Sequence, residues 1–251
     1  MDYAWVGLGA VAAGAVNALA GGGTLISFPI LMAVGVPAIP ASVTSTVALC
    51  PGYFGATLAQ RPELAGQRRR LILLSLPALL GGLLGGALLL RTQEQAFRGL
   101  VPWLILLASG LLAVQGPVRA WLVRRLARHG SGGLPEAGVV VPIALSAVYG
   151  GYFGAGNSVI VLAVLGLVLD DTLTRLNALK QYVSLLVNVA AAVFFLFSKQ
   201  IVWPAVAIMA VGALAGGALG GRLAGRIPPG LLRGLVVCIG VAVGLFYLFR
   251  H

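Results

Sequence analysis

Residues 16–31 read VNALAGGGTLISFPIL, and residues 148–167 read VYGGYFGAGNSVIVLAVLGL. In each, an apolar helical stretch runs into a glycine-rich break and resumes as a second short apolar stretch. A break of this kind frees backbone amides and carbonyls, which lipid cannot satisfy. It is tolerated at membrane depth only where protein or a water-filled cavity covers them. Paired breaks in corresponding parts of two halves point to a substrate site.

The rest of the chain supplies the lipid setting. Of 251 residues, 59% are hydrophobic and 9% charged, and the mean hydropathy is +1.01. One soluble core cannot hide that much apolar surface. The apolar runs are hydrophobic on every side, and the charges gather in clusters between runs of about twenty residues, the length of a spanning helix. The alternation of a β-barrel is absent. Runs and punctuation predict ten helical segments: 3–20, 24–36, 40–59, 70–91, 96–118, 138–154, 158–169, 173–198, 201–222 and 229–249. The second and seventh are too short to span alone, so each pair is open to three readings: a re-entrant hairpin, a broken span or two tilted spans.

The segment lengths repeat. Residues 1–118 and 138–251 read as two transmembrane repeats of about five helical segments each, joined by a basic cytoplasmic linker, 119–137. A shift of 134 lays Gly22 on Gly156 and Thr24 on Ser158, and a one-residue slip lays Thr44 on Asn177. An odd number of segments per repeat inverts the second copy, as does counting each hairpin as non-spanning; only a broken single span would make the copies parallel. The expected fold is thus an all-α polytopic membrane protein of two inverted repeats, with broken or short hairpin helices at the glycine-rich motifs.

If the segments alternate, one side of the membrane receives Arg61, Arg68, Arg69, Arg70, Arg119, Arg124, Arg125, Arg128, Arg175, Arg222, Arg226 and Arg233. The other receives only Arg91, Arg98, Lys199 and Arg250. The positive-inside rule makes the first side cytoplasmic and places both termini outside, in a cell inner membrane. The net charge of +11 is then mostly orientation signal. With no basic domain to present those arginines, nucleic acid is excluded as a partner. In the linker, the first part extends the fifth helix, and Trp121 anchors the interface. Ala18, Leu19 and Ala20 form an A-x-A pattern, but no basic stretch precedes it, so the first segment is expected to stay.

Cys50 and Cys238 fall inside spans without metal or redox spacing. His129 and His251 lie in a loop and at the terminus. No metal site, cofactor or catalytic constellation can be assembled. What remains at membrane depth is neutral polar residues and one cation. The first copy offers Asn17, Thr24, Ser27, Thr44, Ser45 and Thr46; the second offers Asn157, Ser158, Asn177, Lys180, Gln181, Ser184 and Asn188. Asn177, Gln181, Ser184 and Asn188 share one helical face. They either bond neighbouring helices or line a substrate path. Lys180 either snorkels to the interface or holds a fixed charge for an anion. The six acidic residues all map to loops or helix ends, which disfavours a cation as substrate. Helices starting at Thr24 and Ser158, after Gly21, Gly22, Gly23 and after Gly156, aim amides and a partial positive charge at the breaks, which suits an oxyanion.

At these residues the chain resembles a known family. AGGGTLISFPILMAVGVPAIPASVTSTVAL, residues 20–49, is similar to the glycine-rich, Pro-x-Leu, Ala-x-x-Thr-Ser signature of the sulfite exporter TauE/SafE family, the toluene-sulfonate uptake permease group. GGYFGAGNSVIVLAVLGL and RLNALKQYVSLLVN resemble the matching half. The resemblance covers nearly the whole chain. It implies a bacterial cytoplasmic-membrane permease for sulfur-containing anions such as sulfite, sulfonates or organosulfur acids. Asn177 and Ala178 stand where many members carry Thr-Ser, so the two half-sites need not match. The family is described as proton-linked, yet no buried carboxylate or histidine is present to carry the proton, and coupling stays open, as does a homodimer. The alternatives are a passive anion channel and a transporter of another small carboxylate or oxyanion.

Overall fold

The computed structural model describes residues 3–20, 22–128, 135–223 and 229–249. They form helices joined by short turns: α1 (Tyr3–Ala20), α2 (Thr24–Ala33), α3 (Ala38–Ala59), α4 (Arg61–Leu64), α5 (Arg68–Arg91), α6 (Glu94–Arg128), α7 (Val140–Tyr152), α8 (Asn157–Val168), α9 (Leu173–Leu196), α10 (Trp203–Leu223) and α11 (Pro229–Phe249). All ten expected segments are helices. Two differences stand out: α4 is an extra turn at the end of α3, and a 3-10 turn at Glu136–Val139 opens α7. As the linker's first part was expected to extend the fifth helix, α6 runs on to Arg128 as one helix of 35 residues. The expected linker therefore begins as helix. Arg125 holds that extension down: its guanidinium carbon lies 5.5 Å from the centre of the Trp121 ring, and its Nη2 donates to the carbonyl of Leu167 at the end of α8. A cation on a helix C-terminus suits the helix dipole.

Among the described residues, Arg68–Arg91, Glu94–Arg125 and Leu173–Leu196 are each long and apolar enough to cross a membrane. α2 and α8, of 10 and 12 residues, reach only about 15 and 18 Å. Each folds back against its predecessor. α1 packs along α10 and α7 along α5; α10 also lies on α3, and α5 on α9. α2 meets α3 and α11, while α8 meets α9 and α6. α3 crosses α9, and α6 crosses α11.

Small residues set these crossings, as packing in lipid requires. In α5, Gly81 and Gly85 turn to α7, where a Cβ on Gly85 would stand 2.1 Å from the Val148 carbonyl oxygen; Gly82 and Gly86 turn to α9. α10 meets α1 the same way: a Cβ on Gly216 would stand 1.9 Å from the Val11 oxygen. The aromatic centre of the larger apolar cluster joins the two short-helix hairpins. Phe28 of α2 meets Phe153, just after α7, edge to face at 5.4 Å, and Phe97 of α6 at 6.4 Å.

Glu94 closes the end opposite the arginine cluster. Its carboxylate accepts from the amides of Ala38 and Ile39, at 2.5 and 3.1 Å, and so caps α3 across 55 residues of sequence. Charge-assisted hydrogen bonds to otherwise unpaired amides are worth about 1.5–3 kcal/mol. Glu94→Ala is expected to lose stability of that order, read as a lowered midpoint in thermal unfolding of detergent-solubilised protein. An unchanged midpoint would reduce the contact to a surface one.

Candidate functional site

The two glycine breaks meet on one turn of α6. Gly22 packs on Leu112, 2.9 Å from where its Cβ would be. Gly156 packs on Ala108 and Leu111, at 3.2 and 3.3 Å on the same measure. That turn lies midway along the Glu94–Arg125 span. The breaks are built differently. Gly156 takes φ +75°, a left-handed conformation that favours glycine. Gly23 is right-handed at φ −55° and is small for another reason: a Cβ would stand 2.7 Å from the Ala13 oxygen. Gly21 lies outside the described residues. The start of α2 is partly closed, since the amides of Leu25, Ile26 and Ser27 bond back to the carbonyls of Gly22 and Gly23. Thr24, its first residue, is half-buried. At the other break Val159 bonds back to Gly156.

Beside the first break lies a cavity of about 250 Å³ between α1, α3, α9 and α10. Asn17 and Gln181 supply its side-chain amides, and Gly14, Gly52, Gly55 and Gly217 keep its walls thin. Two of the expected binding residues, 164 positions apart in sequence, are thus brought to one space. Amide groups in an otherwise apolar, glycine-walled cavity can hydrogen-bond a small polar solute without fixing it by charge.

The other expected residues divide. Asn157 and Ser158 are buried at the start of α8. The Ser146 hydroxyl donates to Asn157 Oδ1 at 2.6 Å, which ties the two arms of the second hairpin. Ser45 bonds Ser27 at 2.6 Å between α3 and α2, and Thr44 Oγ1 accepts from the Val202 amide at the entry to α10. Thr44 and Ser45 sit in the Glu94-capped half of α3 and Ser27 on α2, and the cavity includes none of the three. Asn177 Nδ2 donates to Gln60 Oε1 at 2.8 Å, joining α9 to the end of α3. The α9 stripe therefore faces α3, with Thr57 Oγ1 donating to the Gln181 carbonyl at 3.3 Å. In that stripe, Asn177 serves helix packing and Gln181 serves the cavity.

Lys180 is 8% exposed. It is enclosed by protein, and among the described residues it has no ion pair or hydrogen bond. A cation held in that state needs an anion. The cavity's α3 wall was not among the expected site residues. Its only signal was the spacing of Gly52 and Gly55 after Pro51, inside a run that otherwise reads as plain span.

The chain matches the family model described as sulfite exporter TauE/SafE over residues 6–247. It is 28% identical over 222 residues to a "Probable membrane transporter protein" of Haemophilus influenzae, covering 88% of this chain and 85% of that one. It is 26% identical over 246 residues to the "Probable membrane transporter protein YfcA" of Escherichia coli K12, covering 96% and 87%. No solved structure matches. With a match running almost end to end over an all-helical chain with apolar spans, the protein belongs to the TauE/SafE sulfite exporter family and is a membrane transporter.

Proposed function

We propose that the protein is a secondary transporter that moves small sulfur-containing anions, such as sulfite, sulfonates or organosulfur acids, across a bacterial cytoplasmic membrane by alternating access. The observation that carries this reading is the meeting of both glycine breaks on the Ala108–Leu112 turn of α6, beside an amide-lined cavity. Broken helices at mid-depth are how transporters expose backbone donors to a substrate. An enclosed lysine that has no carboxylate partner among the described residues favours an anion over a cation.

The packing supports two repeats, 1–118 and 138–251. Exchanging α1, α2, α3, α5 and α6 for α7, α8, α9, α10 and α11 turns the α1–α10 contact into α7–α5, α3–α10 into α9–α5, and α2–α11 into α8–α6. The same exchange leaves α3–α9 and α6–α11 unchanged. Tracing directions from the arginine-rich loops, the α1–α2 hairpin enters from outside and the α7–α8 hairpin from the cytoplasm. That makes the repeats inverted and leaves both termini outside. Rocking one repeat against the other would open the shared α6 turn to either side.

Uptake of labelled sulfite, thiosulfate and a small sulfonate into proteoliposomes, with and without an imposed pH gradient, tests the reading. The expected result is saturable flux of at least one of these anions. A response to the pH gradient would identify protons as the coupling ion. Flux linear in concentration and indifferent to any gradient would make the protein a passive pore, and no flux at all would remove the sulfur assignment.

A further inference from the structure

The arginine-rich end holds two kinds of cation. Arg70 and Arg175 are committed: Arg70 bridges Glu136 at 2.9 Å and Asp171 at 2.5 Å, and Arg175 pairs with Asp171 at 3.0 Å. Arg119, Arg233 and Lys180 are not, since among the described residues no carboxylate pairs with any of them. Arg233, in the first turns of α11, lays its guanidinium over Gly116 of α6, where a Cβ would stand 2.4 Å from Nη1. Among the described residues its buried Nε has no partner, and neither has the buried Oε1 of the adjacent Gln115. One turn further along α6 stands Arg119, on the exposed side of the helix.

Unpaired polar groups and unpaired cations are costly, each in the range of a lost hydrogen bond or more. One guest suits the two arginines of this crossing: an oxyanion with several acceptor oxygens, which guanidinium forks bind in pairs. A half-turn of the Gln115 amide would present its NH2 to the same guest.

We propose that Arg119, Arg233 and Gln115 form a second oxyanion-binding subsite, at the arginine-rich end where α6 crosses α11, that takes a small dianion. A lipid phosphate offers the same chemistry; the subsite is assigned to a free ion, and the phosphatidylglycerol arm of the test separates the two. The subsite's place on a transport path, and the choice of a sulfur dianion as probe, rest on the transporter reading above. Its anion chemistry does not.

The test is equilibrium binding of radiolabelled thiosulfate to the full-length protein in phosphatidylcholine nanodiscs. Arg119→Gln and Arg233→Gln should each weaken binding about ten-fold, the worth of one charge-assisted contact. Arg233→Lys should restore part of the loss, because a point charge lacks the fork. Lys199→Gln, exposed at the other end, should bind as the parent does. Removing an unpaired cation relieves repulsion, so both Gln variants should melt no lower than the parent without ion, which separates lost binding from lost folding. Unchanged affinity in both Gln variants, or no thiosulfate binding to the parent protein, would overturn the proposal. So would phosphatidylglycerol in the nanodisc abolishing thiosulfate binding to the parent protein, an outcome that gives the subsite to a lipid headgroup. Normal binding with no proteoliposome flux would end the transport reading and leave the subsite standing. Normal flux with binding insensitive to Arg119 and Arg233 would do the reverse.

Discussion

Gly85→Leu is expected to yield no stable protein, while Gly110→Leu folds as the parent does. Both glycines sit inside apolar helices and look alike in the sequence. At Gly85 a Cβ would stand 2.1 Å from the Val148 oxygen, 2.7 Å from the Tyr152 amide nitrogen and 2.9 Å from the Gly151 carbonyl carbon, all backbone atoms of the α7 arm. No side chain is available to rotate aside. The helices would have to part by more than about 1 Å to bring carbon and oxygen to ordinary contact, forfeiting close packing along the whole crossing. Overpacking commonly costs about 1–3 kcal/mol where side chains can adjust. A leucine against fixed backbone exceeds that, and it also pushes the second hairpin off α5. Gly110 has nothing within 4 Å of its would-be Cβ, so a leucine there meets only lipid. The comparison is the fraction of detergent-extracted protein eluting as one symmetric peak in size exclusion. Near-zero recovery for Gly85→Leu beside parental recovery for Gly110→Leu is the expected pair. Equal recovery would mean that the α5–α7 crossing is looser than the glycine contacts require.

That contrast marks what a sequence of this kind discloses. The ten segments were legible because a helix in lipid is written as an apolar run punctuated by glycine, proline or arginine. Boundaries were harder to read where the punctuation changed meaning. The arginines after residue 118 read as a linker whose first part extends the fifth helix, and α6 carries them as helix to Arg128, stabilised by the Trp121 and Leu167 contacts of Arg125. Asn17 and Gln181 stood out in the sequence by their polarity alone, and the fold brings both to one cavity. Partners across long separations were not legible. Asn177, open between bonding a neighbouring helix and lining a path, bonds Gln60, 117 residues away, and Thr44 bonds the backbone at Val202. Arg119 and Arg233 read as orientation charges, and only the fold shows that neither has a carboxylate to pair with among the described residues. The polar pattern also overstated symmetry. Shifting one repeat on the other lays Gly22 on Gly156, but one break is glycine for contact and the other for φ +75°. Symmetry of the backbone path thus tolerates different local reasons for the same residue.

Lys180→Met should cut anion flux at least ten-fold while leaving the protein as stable as before or more so. The two effects have one cause. A cation enclosed by α9 and its neighbours, 8% exposed and without an ion pair among the described residues, costs folding free energy that an apolar side chain of similar length does not. If that cost is retained because the charge meets an anion during transport, removing it gives up one charge-assisted contact. Such a contact is worth about 1.5–3 kcal/mol, or roughly ten- to a hundred-fold in binding. A residue serving only the fold would show the opposite pairing, with stability falling and flux falling in proportion to the protein lost. The measurements are initial rates of sulfite or thiosulfate uptake, normalised to reconstituted protein, and thermal midpoints of the same preparations. Lys180→Arg separates charge from shape. It keeps the cation but adds a planar fork to an enclosed site, so partial flux with a lowered midpoint is expected. Full parental flux in Lys180→Met would remove the lysine from the anion's path and leave the amides of Asn17 and Gln181, with the glycine breaks, as the whole of the site.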